Sequence, residues 1–256
     1  MKIADRDMMG GLSKGLRVIE TFSAARPRQT IAEVAEGTGL DRATARRCLL
    51  TLAHQGYATW DGKFFTLTPR VLRLGTGALA AMPLPQIVQP MLDRLSEGLG
   101  ESSSVAILDG PEIVYIARAA QTKIMSVGLM PGSRLPAFCS SLGRVLLAAL
   151  PPEEARALLE RQPRIALTEK TLTGISDIEA ELARVREQGF ALIDQEIEMG
   201  LRSVAVPLQD SYGRVVAALN TGVSVSRASA EALCAEFLPR LRALALELRP
   251  LLRRGN

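Results

Sequence analysis

Apolar residues recur at helical spacing in two short segments within residues 30–55, TIAEVAEGTGLDRATARRCLLTLAHQ. Thr30 and Glu33 have the spacing of a capping box that starts the first helix, and Asp41 can cap the second. The glycines of the GTG segment allow a tight turn between the two helices. In the second helix, positions i, i+3, i+4 and i+7 mark a buried stripe, which consists of Ala45, Cys48, Leu49 and Leu52. The pattern predicts a helix-turn-helix.

After the second helix the hydrophobic period changes from helical to alternating. Residues 57–60 and 63–67 are strand-like and flank Asp61-Gly62, a strong hairpin signal. Helix, turn, helix and hairpin together form a winged helix-turn-helix, which binds DNA. In the major groove, arginine side chains can form hydrogen bonds with guanine, and methyl groups can contact thymine. A lysine at the wing tip can reach a phosphate of the DNA backbone. The predicted DNA contacts are therefore Arg42, Ala43, Thr44, Arg46, Arg47, Thr51 and Lys63.

The flanking sequence predicts where this unit begins and ends. Residues 1–11 read as a disordered leader without the apolar core of a signal peptide, and Ser13 can cap a helix that braces the unit. Thr68-Pro69 is a favourable helix start, so a linker helix is predicted over 69–84 and ends at the MPLP segment. Small residues within this linker either bend it or allow close packing against a partner chain. The winged helix-turn-helix is accordingly expected over residues 12–68.

From residue 85 onward, helical and strand-like segments alternate. The predicted strands cover 103–108, 113–118, 190–194, 203–208 and 215–220. Helices are predicted over 86–98 and 144–150, and from Ser229; Ser176 and Glu179 have capping-box spacing at the start of another. This order predicts an α+β domain over residues 85–256, in which helices cover a sheet.

Composition and charge restrict the class of protein. The 256 residues are 47% hydrophobic and 23% charged, as in an ordinary globular chain of one or two domains. Residues 1–80 carry 12 Lys/Arg against 7 Asp/Glu, whereas residues 81–256 carry 19 against 20, so the basic excess lies in the predicted DNA-binding segment. Three distant cysteines and one histidine do not form a zinc set. No run is long enough to span a bilayer, and we expect a cytoplasmic protein without metal or cofactor.

Three groups of polar residues in the second half are candidates for binding a small molecule. Ser140 and Ser141 precede an apolar helix, where free N–H groups attract anions, although either serine can instead cap its own helix. Arg134 and Arg144 flank this turn as ligand clamps or as surface charges. The second group surrounds a glycine that permits close backbone approach, and contains Asp194, Glu196, Gly200, Arg202 and Ser203. Asn220, in an apolar strand, is the third candidate because a buried amide needs partners.

Catalysis has little support in the sequence. A Gly-x-Ser-x-Gly nucleophile elbow, a phosphate loop and a dinucleotide glycine pattern are all absent. The only histidine, His54, lies in the predicted DNA-reading helix. Cys139 therefore has no histidine base to activate it.

The order of these features resembles the IclR family of bacterial transcription regulators from about Leu12 to Leu251. The matching segments are SKGLRVIETF, TIAEVAEGTGLDRATARRCLLTLAHQGY with its wing, SSLGRVLLAAL, GFALIDQEIEMGLRSVAVPL and GRVVAALN, in the same order and spacing. Within the family, RLPAFCSSLGRVLLAALP is most similar to regulators of protocatechuate, 4-hydroxybenzoate and β-ketoadipate breakdown.

The resemblance implies a winged helix-turn-helix, a linker helix and a GAF-like effector domain, assembled as a homodimer or tetramer on double-stranded operator DNA. It also implies that a small organic acid binds the effector domain. Carried over by position, the effector-binding residues are Ser140, Ser141, Leu142, Gly143, Asp194, Leu201, Ser203 and Asn220. Ser203 and Asn220 stand where some relatives have cysteine and serine.

Two other functions remain open at this point. One is a hydrolase or transferase of small acids with a basic interaction head, for which Cys139, Ser140 and Asp194 are the best catalytic candidates. The other is an architectural DNA-binding protein that binds no small ligand.

Overall fold

The computed structural model describes residues 4, 7–23, 25–121 and 128–252, and it divides into two compact units, Met1–Ala81 and Met82–Asn256. The first unit contains a three-stranded sheet in the order β1-β3-β2 and a core that includes Val18, Val34 and Leu49. Its elements are α1 (Gly10–Glu20), β1 (Arg28–Gln29), α2 (Ile31–Thr38), α3 (Arg42–His54), β2 (Ala58–Trp60), β3 (Phe65–Leu67), a 3₁₀ turn (Pro69–Val71) and α4 (Leu72–Ala81).

Local signals in the sequence account for the helix-turn-helix and its wing. The predicted capping box of α2 is present, with Thr30 and Glu33 satisfying each other's backbone N–H groups, and Gly39 ends this helix at φ 65°. Asp41 caps α3 by accepting a hydrogen bond from the backbone of Thr44. Strands β2 and β3 pair antiparallel around the Asp61-Gly62 turn. The predicted winged helix-turn-helix is confirmed.

The start of α1 and the linker differ from the prediction. Helix α1 begins at Gly10 rather than at Ser13, because the backbone N–H of Ser13 already bonds to Met9 O within the first turn. The predicted leader therefore includes the first helical residues, and its residues 1–3, 5 and 6 lie outside the described part of the chain. The next helix begins at Pro83, not after the MPLP segment. Proline is tolerated in the first turn of a helix because the N–H groups there have no partner within the helix, so the missing N–H of proline costs no hydrogen bond.

The second unit is a six-stranded antiparallel sheet in the order β6-β5-β4-β9-β8-β7. The elements up to the middle of the unit are α5 (Pro83–Leu99), β4 (Ser103–Asp109), β5 (Glu112–Ala119), β6 (Arg134–Pro136), a 3₁₀ turn (Ala137–Cys139), α6 (Ser141–Ala148), α7 (Pro152–Glu160) and α8 (Ile175–Gln188). The remaining elements are β7 (Ala191–Asp194), β8 (Leu201–Gln209), β9 (Val215–Ser224), α9 (Ala230–Ala232), a π-helical turn (Leu233–Phe237) and α10 (Leu238–Leu248).

Two apolar cores lie on opposite faces of this sheet. One core joins the sheet to α5 and α10, with Leu92, Leu219 and Leu241 fully buried. The other joins it to α6, α7 and α8, with Leu142 and Leu182 buried. The predicted α+β fold, a sheet covered by helices, is confirmed.

Two short strands and two further helix starts were not predicted correctly. Helix α6 begins at Ser141, three residues before the predicted start, because Ser140 caps it. Strands β1 and β6 are two and three residues long, which is too short for an alternating pattern to be visible. Helix α8 begins at Ile175 after Gly174, so Ser176 lies inside the first turn and does not cap it. Within the described ranges, no helix combines the length and apolarity that a bilayer crossing requires.

Candidate DNA-reading helix and ligand cavity

Helix α3 exposes a basic surface. Ala45 and Leu49 pack into the core of the first unit, so the other sides of the helix meet solvent. Five of the predicted DNA contacts are exposed on α3: Arg42, Ala43, Arg46, Arg47 and Thr51. Arg47 and Thr51 also line a groove between α3 and α1, whereas Arg42, Ala43 and Arg46 do not.

Thr44 is removed from the predicted DNA contacts. Its side chain is only 8% exposed, and its hydroxyl donates to Asp41 Oδ2 over 2.8 Å. The cap of α3 thus uses the hydroxyl that was expected to face a base.

The wing carries more positive charge than the sequence pattern indicated. Lys63 is exposed at its tip, with Nζ 5.0 Å from the centroid of the Phe64 ring. Arg28 joins it from β1, since its guanidinium lies over the same ring and bonds to Asp61 Oδ2 at 2.8 Å. The backbone N–H groups of Phe64 and Lys63 lower the pKa of Asp61, so this carboxylate holds both the turn and Arg28. Arg28 was missed because only the pairing of β1 with β3 brings it to the wing.

A cavity opens in the second unit, on the sheet face covered by α6. Five of the nine predicted effector-binding residues line it: Ser140, Ser141, Leu201, Ser203 and Asn220. The sequence prediction missed the other lining residues, which are Ser102, Tyr115, Arg118, Leu129, Leu135, Ile197, Glu198 and Gly222.

A row of polar side chains crosses three strands at the cavity. Ser104 on β4 lies directly opposite Arg118 on β5 and opposite Asn220 on β9, so the three side chains share one face of the sheet. Arg118 Nη1 donates to Ser104 Oγ over 2.8 Å. Arg118 Nε is buried and has no hydrogen-bond partner among the described residues. Burial also lowers the pKa of Arg118, as expected for a guanidinium that has lost water.

A β-bulge explains why Arg118 faces the cavity. Val105 pairs with Ala117, but Ala106 pairs with Tyr115, so Ile116 is the extra residue in β5. Strict alternation from Tyr115 would place Arg118 on the opposite face of the sheet. The bulge shifts the register by one residue and brings Tyr115 and Arg118 into the same cavity.

The two serines before α6 have different roles. Ser140 is the N-cap, and its Oγ accepts a hydrogen bond from Gly143 N at 3.1 Å. Ser141 Oγ accepts hydrogen bonds from Ser203 Oγ at 2.9 Å and from Asn220 Nδ2 at 3.4 Å. Ser140 thus caps its own helix, while Ser141 joins the first turn of α6 to strands β8 and β9.

The rest of the cavity wall is mainly apolar, with one phenol. Burial raises the pKa of Tyr115 to about 12 against the opposing effect of Arg118, so its hydroxyl keeps its proton at neutral pH and can donate. The apolar part of the wall consists of Leu129, Leu135, Ile197 and Leu201. A cationic group, several hydroxyls and an apolar wall suit a small molecule with an anionic end and an apolar body.

Four predicted effector-binding residues do not line the cavity. Arg134 forms ion pairs with Asp109 and Glu112, and Asp194 pairs with Arg202 at 2.6 Å. Leu142 is fully buried in the core, because the side of α6 that carries it faces the sheet. Gly143 packs against the backbone of Ala137. We therefore remove these four residues from the direct ligand contacts.

The geometry does not support the catalytic alternative. Burial raises the pKa of the Cys139 thiol to about 12, which keeps it protonated and unreactive. Asp194 lies outside the cavity, and the only histidine is in the other unit. No group of three or more His, Cys, Asp or Glu side chains that could hold a metal ion occurs within the described ranges.

Comparisons with known families match both units. Residues 11–62 match the IclR helix-turn-helix domain, and residues 76–249 match the C-terminal domain of the bacterial transcriptional regulator IclR. The chain is 44% identical over 245 residues to the Pca regulon regulatory protein of Pseudomonas putida, covering 95% of this chain and 84% of that protein.

Solved structures agree with these matches. A candidate transcriptional regulator from Rhodococcus sp. RHA1 is 45% identical, with a TM-score of 0.77 over 94% of this chain and 97% of that one. The inducer-binding domain of a double mutant of PobR from Acinetobacter, in complex with 3-hydroxybenzoic acid, is 32% identical, with a TM-score of 0.62 over 66% of this chain and 98% of that one. With the winged head and the sheet domain both matched, this chain belongs to the IclR family of bacterial transcriptional regulators.

Proposed function

We propose that this protein regulates genes of aromatic-acid breakdown, binding operator DNA through α3 and the wing and a small aromatic acid in the cavity. The observation that carries the ligand proposal is Arg118, a cationic side chain beside an apolar wall, whose Nε–H group has no partner among the described residues. A carboxylate would satisfy that group, and guanidinium–carboxylate pairing is strong and directional. The names of two relatives, one for the Pca regulon and one in complex with 3-hydroxybenzoic acid, support this ligand class.

The same proposal assigns a task to each segment. Residues 12–68 bind DNA, residues 69–84 form the linker, and residues 85–256 bind the acid in the bacterial cytoplasm, where the operator DNA is. Exposed leucines on α1 and α4 favour a homodimer through the first unit, with a second copy of the chain covering Leu12, Leu16, Leu72 and Leu74. Pairing of dimers into a tetramer is part of the same proposal.

Binding of DNA and acid to one protein gives the main test. Trp60 is the only tryptophan, lies 51% exposed in the wing and stacks on Phe65, so its fluorescence can report DNA binding. We expect salt-sensitive affinity for the promoter fragment beside the gene, changed by protocatechuate, 4-hydroxybenzoate or β-ketoadipate. Coupling is reciprocal, so the fragment must change the affinity for the acid by the same factor. An acid that binds with no change in DNA affinity would contradict regulation by that acid.

Two substitutions separate base reading from phosphate binding in the DNA interface. Arg42→Ala is expected to weaken binding to the promoter site by about 1–3 kcal/mol, with little effect on random DNA, because a base contact supplies discrimination. Lys63→Ala is expected to weaken both complexes alike and to reduce the slope of log affinity against log salt by about 1. Gel shifts on specific and random fragments at several salt concentrations measure both effects. Equal losses on the two fragments for Arg42→Ala would show that this arginine reads no base.

A further inference from the structure

An ion pair next to the cavity is almost completely shielded from water. Arg144, on α6, is 2% exposed, and Glu196 is 6% exposed. Arg144 Nη2 lies 2.7 Å from Glu196 Oε2. Arg144 Nε also donates to Phe138 O over 3.0 Å. Neither Arg144 nor Glu196 lines the cavity. A buried charge pair is costly to desolvate and is weak evidence of added stability, so its presence calls for another role.

Glu196 lies in the loop that forms one wall of the cavity. The loop connects β7 to β8, and Ile197 and Glu198 in it line the cavity, as does Leu201 where β8 begins. Gln195 has φ 66°, the only positive φ of a non-glycine residue in the described ranges. Such a backbone conformation is unfavourable and persists only where surrounding contacts hold it.

Several hydrogen bonds hold the loop in this conformation. Thr171 Oγ1 donates to Glu196 O over 2.6 Å, and Thr168 Oγ1 donates to Gln195 O over 2.7 Å. The Glu196 carboxylate accepts from Leu172 N at 3.1 Å as well as from Arg144. Burial raises the pKa of Glu196, and both Arg144 and the backbone N–H of Leu172 oppose that rise.

A second part of the cavity wall comes from the start of α6. Ser140 and Ser141 line the cavity there, and Arg144 lies one turn further along the same helix. We infer that the Arg144–Glu196 ion pair joins the two walls, and that Arg144 and Glu196 are positioning residues that hold the loop over the bound acid. This inference rests on the proposed binding of a small acid in the cavity.

Three variants test this inference by calorimetric titration with protocatechuate, 4-hydroxybenzoate and β-ketoadipate. Glu196→Gln keeps the size of the side chain and removes its charge, and Thr171→Val removes a hydroxyl that holds the loop. The test ligand is the acid that wild type binds most tightly. Both variants are expected to bind this acid with about tenfold lower affinity than wild type. The matched control is Asp210→Asn, which alters another buried carboxylate that accepts hydrogen bonds from an arginine and from backbone N–H groups but does not line the cavity. It is expected to change stability without changing affinity.

A double variant separates positioning from stability. Replacing both members of a buried pair by apolar residues often restores stability. We therefore expect Arg144→Met with Glu196→Met to regain the melting temperature lost in Glu196→Gln but to keep the weakened affinity. Hydrogen exchange at residues 195–201, without ligand, is expected to be faster in Glu196→Gln than in wild type.

The possible failures are distinguishable. Suppose that wild type binds an acid, and that Glu196→Gln and Thr171→Val each bind it with an affinity within twofold of wild type. The positioning role is then wrong. Recovery of both affinity and stability in the double variant would show that the pair only stabilises the fold. If wild type binds none of the three acids, the proposed ligand class is wrong instead, while unchanged exchange at residues 195–201 would separately contradict the link between the pair and the loop.

Discussion

Replacing Arg118 by methionine is expected to weaken effector binding by about 1.5–3 kcal/mol, roughly ten- to 150-fold, without lowering the stability of the protein. The affinity falls because Arg118 offers a charge-assisted hydrogen bond to the carboxylate of the ligand. Methionine removes the hydrogen bond from Arg118 Nη1 to Ser104 Oγ, which lowers stability. It also removes the desolvation cost of a half-buried guanidinium whose Nε has no partner among the described residues, so the two effects offset each other.

The measurement is a calorimetric titration of both proteins with the tightest-binding acid and with its amide, which lacks the negative charge. We expect the substitution to reduce affinity for the acid much more than for the amide, because only the acid pairs with the guanidinium. Arg134→Met is the matched protein control, since Arg134 forms ion pairs with Asp109 and Glu112 and lies outside the cavity lining. Equal losses for acid and amide in Arg118→Met would show that the arginine shapes the cavity but does not bind the carboxylate.

A residue's position could be predicted from the sequence where contacts between near neighbours in the chain determine it. It could not be predicted where contacts between distant segments determine it. Thr30, Asp41 and the Asp61-Gly62 turn act within a few residues of themselves, so the winged head was predicted almost completely. Ser141, Ser203 and Asn220 were separate candidates from their local sequence and from the family resemblance, and the structure brings their side chains together. A hydrogen bond between residues 62 positions apart is not visible in hydrophobic spacing.

The residues that were missed depend on features that break a regular pattern. Arg118 reaches the cavity through a bulge, whose extra residue reverses the alternation that sequence reading assumes. Tyr115 lies in an apolar strand, IVYIARA, and reads as a core residue until the cavity beside it is known. The signal that could have identified Arg118 is a single charge inside that strand, since an unpaired charge in an apolar strand has a high desolvation cost.

Gly143 was identified by the family resemblance as an effector-binding residue, but in the structure it has a packing role instead. Helix α6 crosses so near the preceding 3₁₀ turn that a Cβ at Gly143 would overlap the backbone O and Cα of Ala137. Glycine is therefore required here for close packing, and its backbone N–H additionally bonds to the Ser140 cap. Because Ser140 caps α6 and Ser141 lies in its first turn, and both line the cavity, this contact also affects the geometry of the cavity wall.

Gly143→Ala is expected to destabilise the effector domain by about 1–3 kcal/mol. The added Cβ would overlap backbone atoms of Ala137, which cannot move aside as a flexible side chain can. Differential scanning calorimetry should show a lower transition for this domain, by about 2–4 °C for each kcal/mol lost, while the Trp60 fluorescence transition reports the winged head separately. Gly98→Ala is the control, since Gly98 lies in α5 and an added Cβ meets only the Arg240 side chain at 3.8 Å. That change is expected to be neutral or to stabilise by up to about 1 kcal/mol, as alanine favours a helix. A Gly143→Ala protein as stable as wild type would mean that α6 can shift away from Ala137, and the position of Ser141 against Ser203 and Asn220 would then not depend on this contact.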